Sequence, residues 1–138
     1  MPEPTALDAD LLAIEARTAQ QARTFLSTVT EVSAGTAPEA VFPLLLLAFS
    51  ELAASGAVLG AIVDVVPAQR FEPDTGPDAD LDPLRTALAN VLEGVDEYTD
   101  ISDPVLDSEP TVSTLSGDIA TIAQSLAQGL AHHDAGDH

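Results

Sequence analysis

The sequence predicts an all-α fold, a bundle of about four helices joined by two long acidic loops. Three observations carry this expectation. Apolar residues recur at three- and four-residue spacing in four separate stretches, and glycine, proline and aspartate gather between them. The hydrophobic share is 46% with only 4% aromatics and no tryptophan, so the core must be built from Leu, Val, Ile and Ala, which suit close helix packing. A chain of 138 residues is the size of one ordinary domain, and residues 1–138 are expected to fold as one.

The first stretch, Asp8 to Ala34, places Leu11, Leu12, Ala16, Ala19, Ala22, Leu26 and Val29 on one face and Arg17, Gln20, Gln21, Thr24, Thr28 and Glu31 on the other. Asp8 and Asp10 are the expected caps, and Gly35 the expected stop. Thr36-Ala-Pro38 opens the second stretch, with Pro43 near the start of its main helix, where the missing amide does least harm. From Ala40 to Val63 the only charge is Glu51, so a membrane span has to be considered. Three features argue against one. Glu51 at mid-span would cost about 2.5–3.5 kcal/mol on insertion scales, no basic cluster flanks either end, and the other helices face water. The expectation is instead a central buried helix, in which the G-x-x-x-G spacing of Gly56 and Gly60 marks tight packing, with self-association as the alternative.

Pro67 to Asp82 is dense in proline, glycine and aspartate and reads as a long loop anchored by its single base, Arg70. Asp82-Pro83 then reads as a cap and first helical position, followed by Leu84, Leu88, Val91, Leu92 and Val95 at helical spacing up to Gly94. Asp96 to Pro110 is acidic and broken by prolines. Its Tyr98, Ile101, Val105 and Leu106 fit either a short extended piece or a segment packed across the helices. The last helix is capped by Ser113 or Ser116 and sets Leu115, Ile119, Ile122, Leu126 and Leu130 against Asp118, Thr121, Ser125, Gln128 and His132. No internal repeat is present.

Charge constrains partners. There are 23 Asp and Glu against four bases, all arginine (Arg17, Arg23, Arg70 and Arg85), for a net charge of -19. Such a chain repels phosphate backbones and anionic lipid, so neither direct nucleic-acid binding nor membrane binding is expected. Cysteine is absent, which removes a disulfide framework, a thiolate nucleophile and cysteine metal sites. Met1-Pro-Glu-Pro4 lacks the basic and apolar regions of a secretion signal, and a cytoplasmic location is expected.

Candidate chemistry is thin. His132, His133, Asp134, Asp137 and His138 are metal-ligand types, but neighbours on a helix diverge by about 100°, and Gly136 interrupts the pairing of His133 with Asp137. Histidines near a helix C-terminus are also favoured by its dipole without any function. Asp78-Ala-Asp80-Leu-Asp82 begins like a calcium loop, but Pro83 stands where the turn needs glycine and Ala89 where a bidentate glutamate belongs. Glu51 reads as a helix-edge carboxylate or the partner of an arginine; the functional alternative is a lone buried acid lining a pocket. No phosphate loop, nucleophile elbow or dinucleotide fingerprint occurs, and no residue is assigned to catalysis, a cofactor or a metal.

Three stretches together carry a resemblance: Gln21-Ala-Arg23-Thr24-Phe25-Leu26, Pro43-Leu-Leu-Leu-Leu-Ala48 and Val65-Val66-Pro67-Ala-Gln-Arg70-Phe71. They resemble an actinobacterial family of uncharacterised proteins, classed as a domain of unknown function, whose genes are associated with a recombination-mediator gene. The resemblance covers most of the chain, including Leu130 to Asp137, and implies no catalytic residue, because its motifs have no assigned chemistry. It also implies a tryptophan-rich helix with further histidines beyond Asp137, whereas this chain stops at His138. A chain shortened there would bare an apolar face that resembles a binding groove.

The leading functional expectation is a protein-protein interaction module that meets a protein partner or itself, since several amphipathic helices and acidic loops offer packing surfaces and no site offers chemistry. Two alternatives stand beside it. One is a metal-dependent or acid/base hydrolase using Glu51 or the terminal histidines. The other is an acidic nucleic-acid mimic that occupies the basic face of a DNA-handling protein.

Overall fold

A computed structural model describes residues 5–61, 80–106 and 108–136. Its order is helix α1 (Ala6–Ser33), a short 3-10 turn (Pro38–Ala40), helix α2 (Val41–Gly60), helix α3 (Asp82–Val91), strands β1 (Glu97–Asp100) and β2 (Thr111–Thr114), and helix α4 (Leu115–Asp134). The fold is mainly a helical bundle, as the sequence predicts, with one small two-stranded sheet added.

The start of α1 corrects the expected cap. Thr5, and neither Asp8 nor Asp10, is the N-cap, and Asp8 completes a capping box from the first turn. The Thr5 hydroxyl accepts from the Asp8 amide at 3.2 Å, while the Asp8 carboxylate accepts from the Thr5 amide at 3.1 Å and the Thr5 hydroxyl at 2.7 Å. Those two donors, the hydroxyl first, hold the Asp8 carboxyl below its usual range. A depressed carboxyl stabilises the fold above its unfolded pKa, and the contribution is lost as pH falls through the folded value. At the far end Gly35 takes φ 72°, a left-handed turn open to glycine, and its amide donates to the Val32 carbonyl at 3.1 Å.

The buried stripe of α1 is Ala19, Ala22, Phe25, Val29 and Val32. It is shifted toward the C-terminus from the expected one, and Leu11, Leu12 and Ala16 stay exposed. Phe25, Val29 and Val32 meet Val41, Leu45 and Ala48 of α2, Leu88 of α3, Leu92 just after it, and Ile119 of α4 in one core cluster. Phe25 also stacks edge-to-face on Phe49, with ring centroids 5.5 Å apart.

Asp82-Pro83 opens α3 as expected, but one position further in. Leu81 precedes the helix, and the Asp82 amide donates to Asp80 Oδ1 at 3.0 Å, so Asp80 does the satisfying. The acidic stretch after Gly94 resolves as the extended alternative. β1 and β2 pair antiparallel, with Glu97 opposite Thr114 and Asp100 opposite Thr111. Val105 and Leu106 do not pack across the helices; they are 88% and 87% exposed, on a turn closed by Asp103 Oδ1, which accepts both their amides at 2.9 Å.

The start of α4 is corrected too. Thr114 is the N-cap, its hydroxyl accepting from the Gly117 amide at 3.1 Å. Ser116, expected as a cap, is instead a buried donor: its amide and hydroxyl give to the two oxygens of Asp96 at 2.7 and 2.8 Å. The Asp96 carbonyl accepts the Leu115 amide at 2.8 Å, so a single residue before β1 closes three donors at the head of α4. A side chain on Gly117 would bring Cβ to 2.8 Å from the Thr114 hydroxyl, which explains glycine there.

Asp96→Ala leaves both Ser116 donors without their acceptor and is expected to lower unfolding free energy by about 1–3 kcal/mol, read as an earlier urea midpoint; an unchanged midpoint would show that water replaces Asp96 fully. Tyr98, the single tyrosine in a chain without tryptophan, donates its hydroxyl to Asp118. That bond, with desolvation and the Asp118 charge behind it, raises its pKa. A raised tyrosine pKa stabilises the fold below the unfolded value and is lost as pH rises through the folded one. Ultraviolet titration should therefore place ionisation above the usual value of about 10, with Asp118→Asn moving it back down; coincident curves would dissolve the pairing.

Candidate functional site

The expected central buried helix is not what folds. Pro38–Gly60 has mean hydropathy 1.8 and is long and apolar enough to cross a membrane by length and composition, yet only 17% of that most apolar window is buried. One face, Val41, Leu45 and Ala48, enters the core. The opposite side leaves Phe42, Leu46 and Leu47 at 56%, 69% and 55% exposure, continuing through small exposed residues to Val58. The physical reason is coverage. α2 packs chiefly on α1, while α3 packs on α1 and α4, and α4 runs along α1 as far as Glu15, so nothing among the described residues closes the outer face of α2.

The G-x-x-x-G spacing is corrected on the same ground. Nothing lies within 4 Å of a side-chain carbon built at Gly56 or Gly60, so neither glycine serves tight packing among the described residues.

Between α1 and α2 lies a groove of about 250 Å3 lined by Ile14, Arg17 and Gln21 on one wall and Glu51, Ala54 and Val58 on the other. Glu51 is neither buried nor, among the described residues, paired with an arginine. It is exposed, and its carboxylate accepts from the Gln21 side-chain amide at 3.1 Å. The groove is smaller than the cavities of about 300–1,000 Å3 that usually enclose small ligands, and its wall residues are at most partly buried.

His133 occupies a different seam. His133 Nε2 lies 3.0 Å from Glu15 Oε1 on α1, and its Nδ1 lies 3.4 Å from Asp134 Oδ1. Asp134 in turn pairs with Arg23. This chain ties the end of α4 to α1, and being partly exposed it is worth at most about 1 kcal/mol per pair. Glu15 sits about 100° around α1 from Ile14, so His133 and Glu51 are not brought to one place. Asp137 and His138 lie outside the described residues, as do Arg70, Asp78 and the segment between Pro67 and Ala79. Among the described residues no group of three or more His, Asp or Glu is arranged to hold a metal.

Residues 10–138 match the family described as Domain of unknown function (DUF5063). The chain belongs to that family. No curated protein and no solved structure matches it. The DUF5063 match begins at Asp10 and so takes in the whole α1/α2 hairpin from that residue on, including the groove and the uncovered face.

The sequence misses this face because a helix apolar on all sides carries no periodic mark of which side is buried. The signal that could have found it is the contrast between Ala40–Val63, where Glu51 is the only charge, and the few other amphipathic stretches among 138 residues that could cover it on every side.

Proposed function

We propose that this DUF5063 chain is a cytoplasmic protein-protein interaction module whose contact surface is the outer face of α2. The observation that carries the reading is the exposure of Phe42, Leu46 and Leu47 in one continuous stripe, on a helix whose other face is fixed in the core. Contiguous apolar surface of this kind marks contact sites in soluble proteins. Glu51 at the middle of the helix and the net charge of -19 weigh against a lipid neighbour. We also take the family to be the actinobacterial one that the three sequence motifs resemble, with its recombination-mediator gene neighbour.

The test is a photo-reactive residue placed at Leu47 and, separately, at Val105, which is more open than Leu47 but lies on the hairpin turn. Irradiated in native lysate, the Leu47 position should give discrete protein adducts that the Val105 position does not. Adducts of equal yield at both sites, or none at either, would remove the proposal.

A further inference from the structure

We infer that the occupant of the α2 face is a basic amphipathic helix of another protein. The inference rests on the interaction reading above and adds the chemistry of the partner.

Shape selects a helix. The exposed surface is a straight strip along a helix of 20 residues, about 30 Å long at 1.5 Å per residue. Its bulky members are Phe42 and Leu46, one turn apart, with Leu47 beside them about 100° further round, and past Ser50 the strip narrows to Ala53, Ala54 and Ala57 before Val58. A helix laid alongside meets such a strip with residues at three- and four-residue spacing. A β-strand does not, because α2 offers no unpaired backbone edge. The shallow groove beside α1 continues the strip, with Glu51 and Val58 on its wall.

Charge selects the sign. The sequence has 23 acidic residues and four arginines. Of these arginines, Arg23 is engaged by Asp134 and Arg85 by Asp82. A second copy would bring -19 against -19. An anionic bilayer or a nucleic acid would carry the same sign. A lysine- or arginine-flanked helix is drawn toward this surface by the field of the whole chain, which raises association rate and disfavours other classes of partner. Glu51 supplies a fixed point for it. It is the single charge on α2, and its bond to the neutral Gln21 amide leaves the carboxylate charge uncompensated by that bond. Asp10 stands one turn before Ile14 on α1 as a second exposed carboxylate, and Arg17 is the one base among the residues lining the groove.

The experiment uses the full chain and a fluorescent leucine-lysine amphipathic helix of about five turns, matched in length to α2, with a leucine-glutamate peptide of the same apolar pattern as its control. Anisotropy should show binding of the lysine peptide and not of the glutamate peptide. The double variant Leu46→Ser/Leu47→Ser should weaken binding about tenfold or more, and Glu51→Gln should weaken it several-fold at low salt. Val105→Ser/Leu106→Ser should leave it unchanged. Circular dichroism checks that every variant keeps its helices, and all the altered side chains are exposed.

Binding indifferent to the α2 variants would mean that the carboxylate surface alone holds the peptide, as in a nucleic-acid mimic, and would overturn both this inference and the interaction face. Equal binding of the two peptides would overturn the basic partner and keep the face. So would a dimer in sedimentation that Leu46→Ser/Leu47→Ser dissociates, or vesicle binding that the same variant abolishes.

Discussion

Phe25 has no exposed surface, and the core cluster it belongs to draws on every other helix, with Val41 and Leu45 from α2, Leu88 from α3 and Ile119 from α4, while Phe49 meets its ring edge-on. Burying such a ring is worth about 1.5–3 kcal/mol, and emptying its site would cost more because packed neighbours relax only in part. The consequence is geometric as well as energetic. All of the buried residues of α1 lie from Ala19 onward, so the helix is a wall at one end and a projection at the other. Leu7, Leu11 and Leu12 are left in water on the projecting half, N-terminal to Ile14, which lines the groove with Ala54 and Val58 of α2.

The bundle can afford α3, only 10 residues long, because the residues after it are tied back into α4. An isolated helix of that length is marginal in water. Here Leu88 and Leu92 are buried against the core, and four residues beyond Leu92 the chain delivers Asp96 to the amide and hydroxyl of Ser116. The hairpin is a consequence of the same constraint. With Asp96 fixed at the head of α4, the residues leaving it and the residues entering α4 run side by side, and four pairs close as β1 and β2. Neither strand is buried, so the sheet depends on this anchor and on the bond from Tyr98 to Asp118 more than on a core of its own.

Much of the helical frame is legible in the sequence, because helix ends carry chemical marks. Gly35, Pro38, Pro43 and the Asp82-Pro83 pair stand where backbone geometry requires or tolerates them. The choice among neighbouring caps is not legible. Thr5 and Asp8 are both capping residues, and only their mutual bonding shows which is N-cap and which is third in the helix. At α4 the sequence offers Ser113, Thr114 and Ser116 within four positions, and the anchor Asp96 that decides among them lies 20 residues away in sequence. β1 and β2 are too short to show alternation, and the residues between them separate the two halves of the pattern. The surface on α2 is the least legible feature, since hydrophobicity gives the tendency to be covered and says nothing of what covers it.

That last point bears on how a chain with such a face stays dispersed. Apolar exposure favours association without regard to partner, roughly in proportion to area. Charge acts at longer range and with a sign. At physiological salt, fields reach about 8 Å before screening halves their influence or more, far enough to act before the apolar surfaces of two copies touch. A net charge of -19 distributed over a chain of this size therefore opposes the approach of like copies while the α2 stripe itself stays almost free of charge. The two features are complementary: the neutral stripe supplies adhesion, and the acidic remainder restricts which surfaces arrive close enough to use it. Neutralising exposed carboxylates far from α2 would leave the stripe intact and remove the restriction, which ties selectivity of contact to residues that never touch a partner.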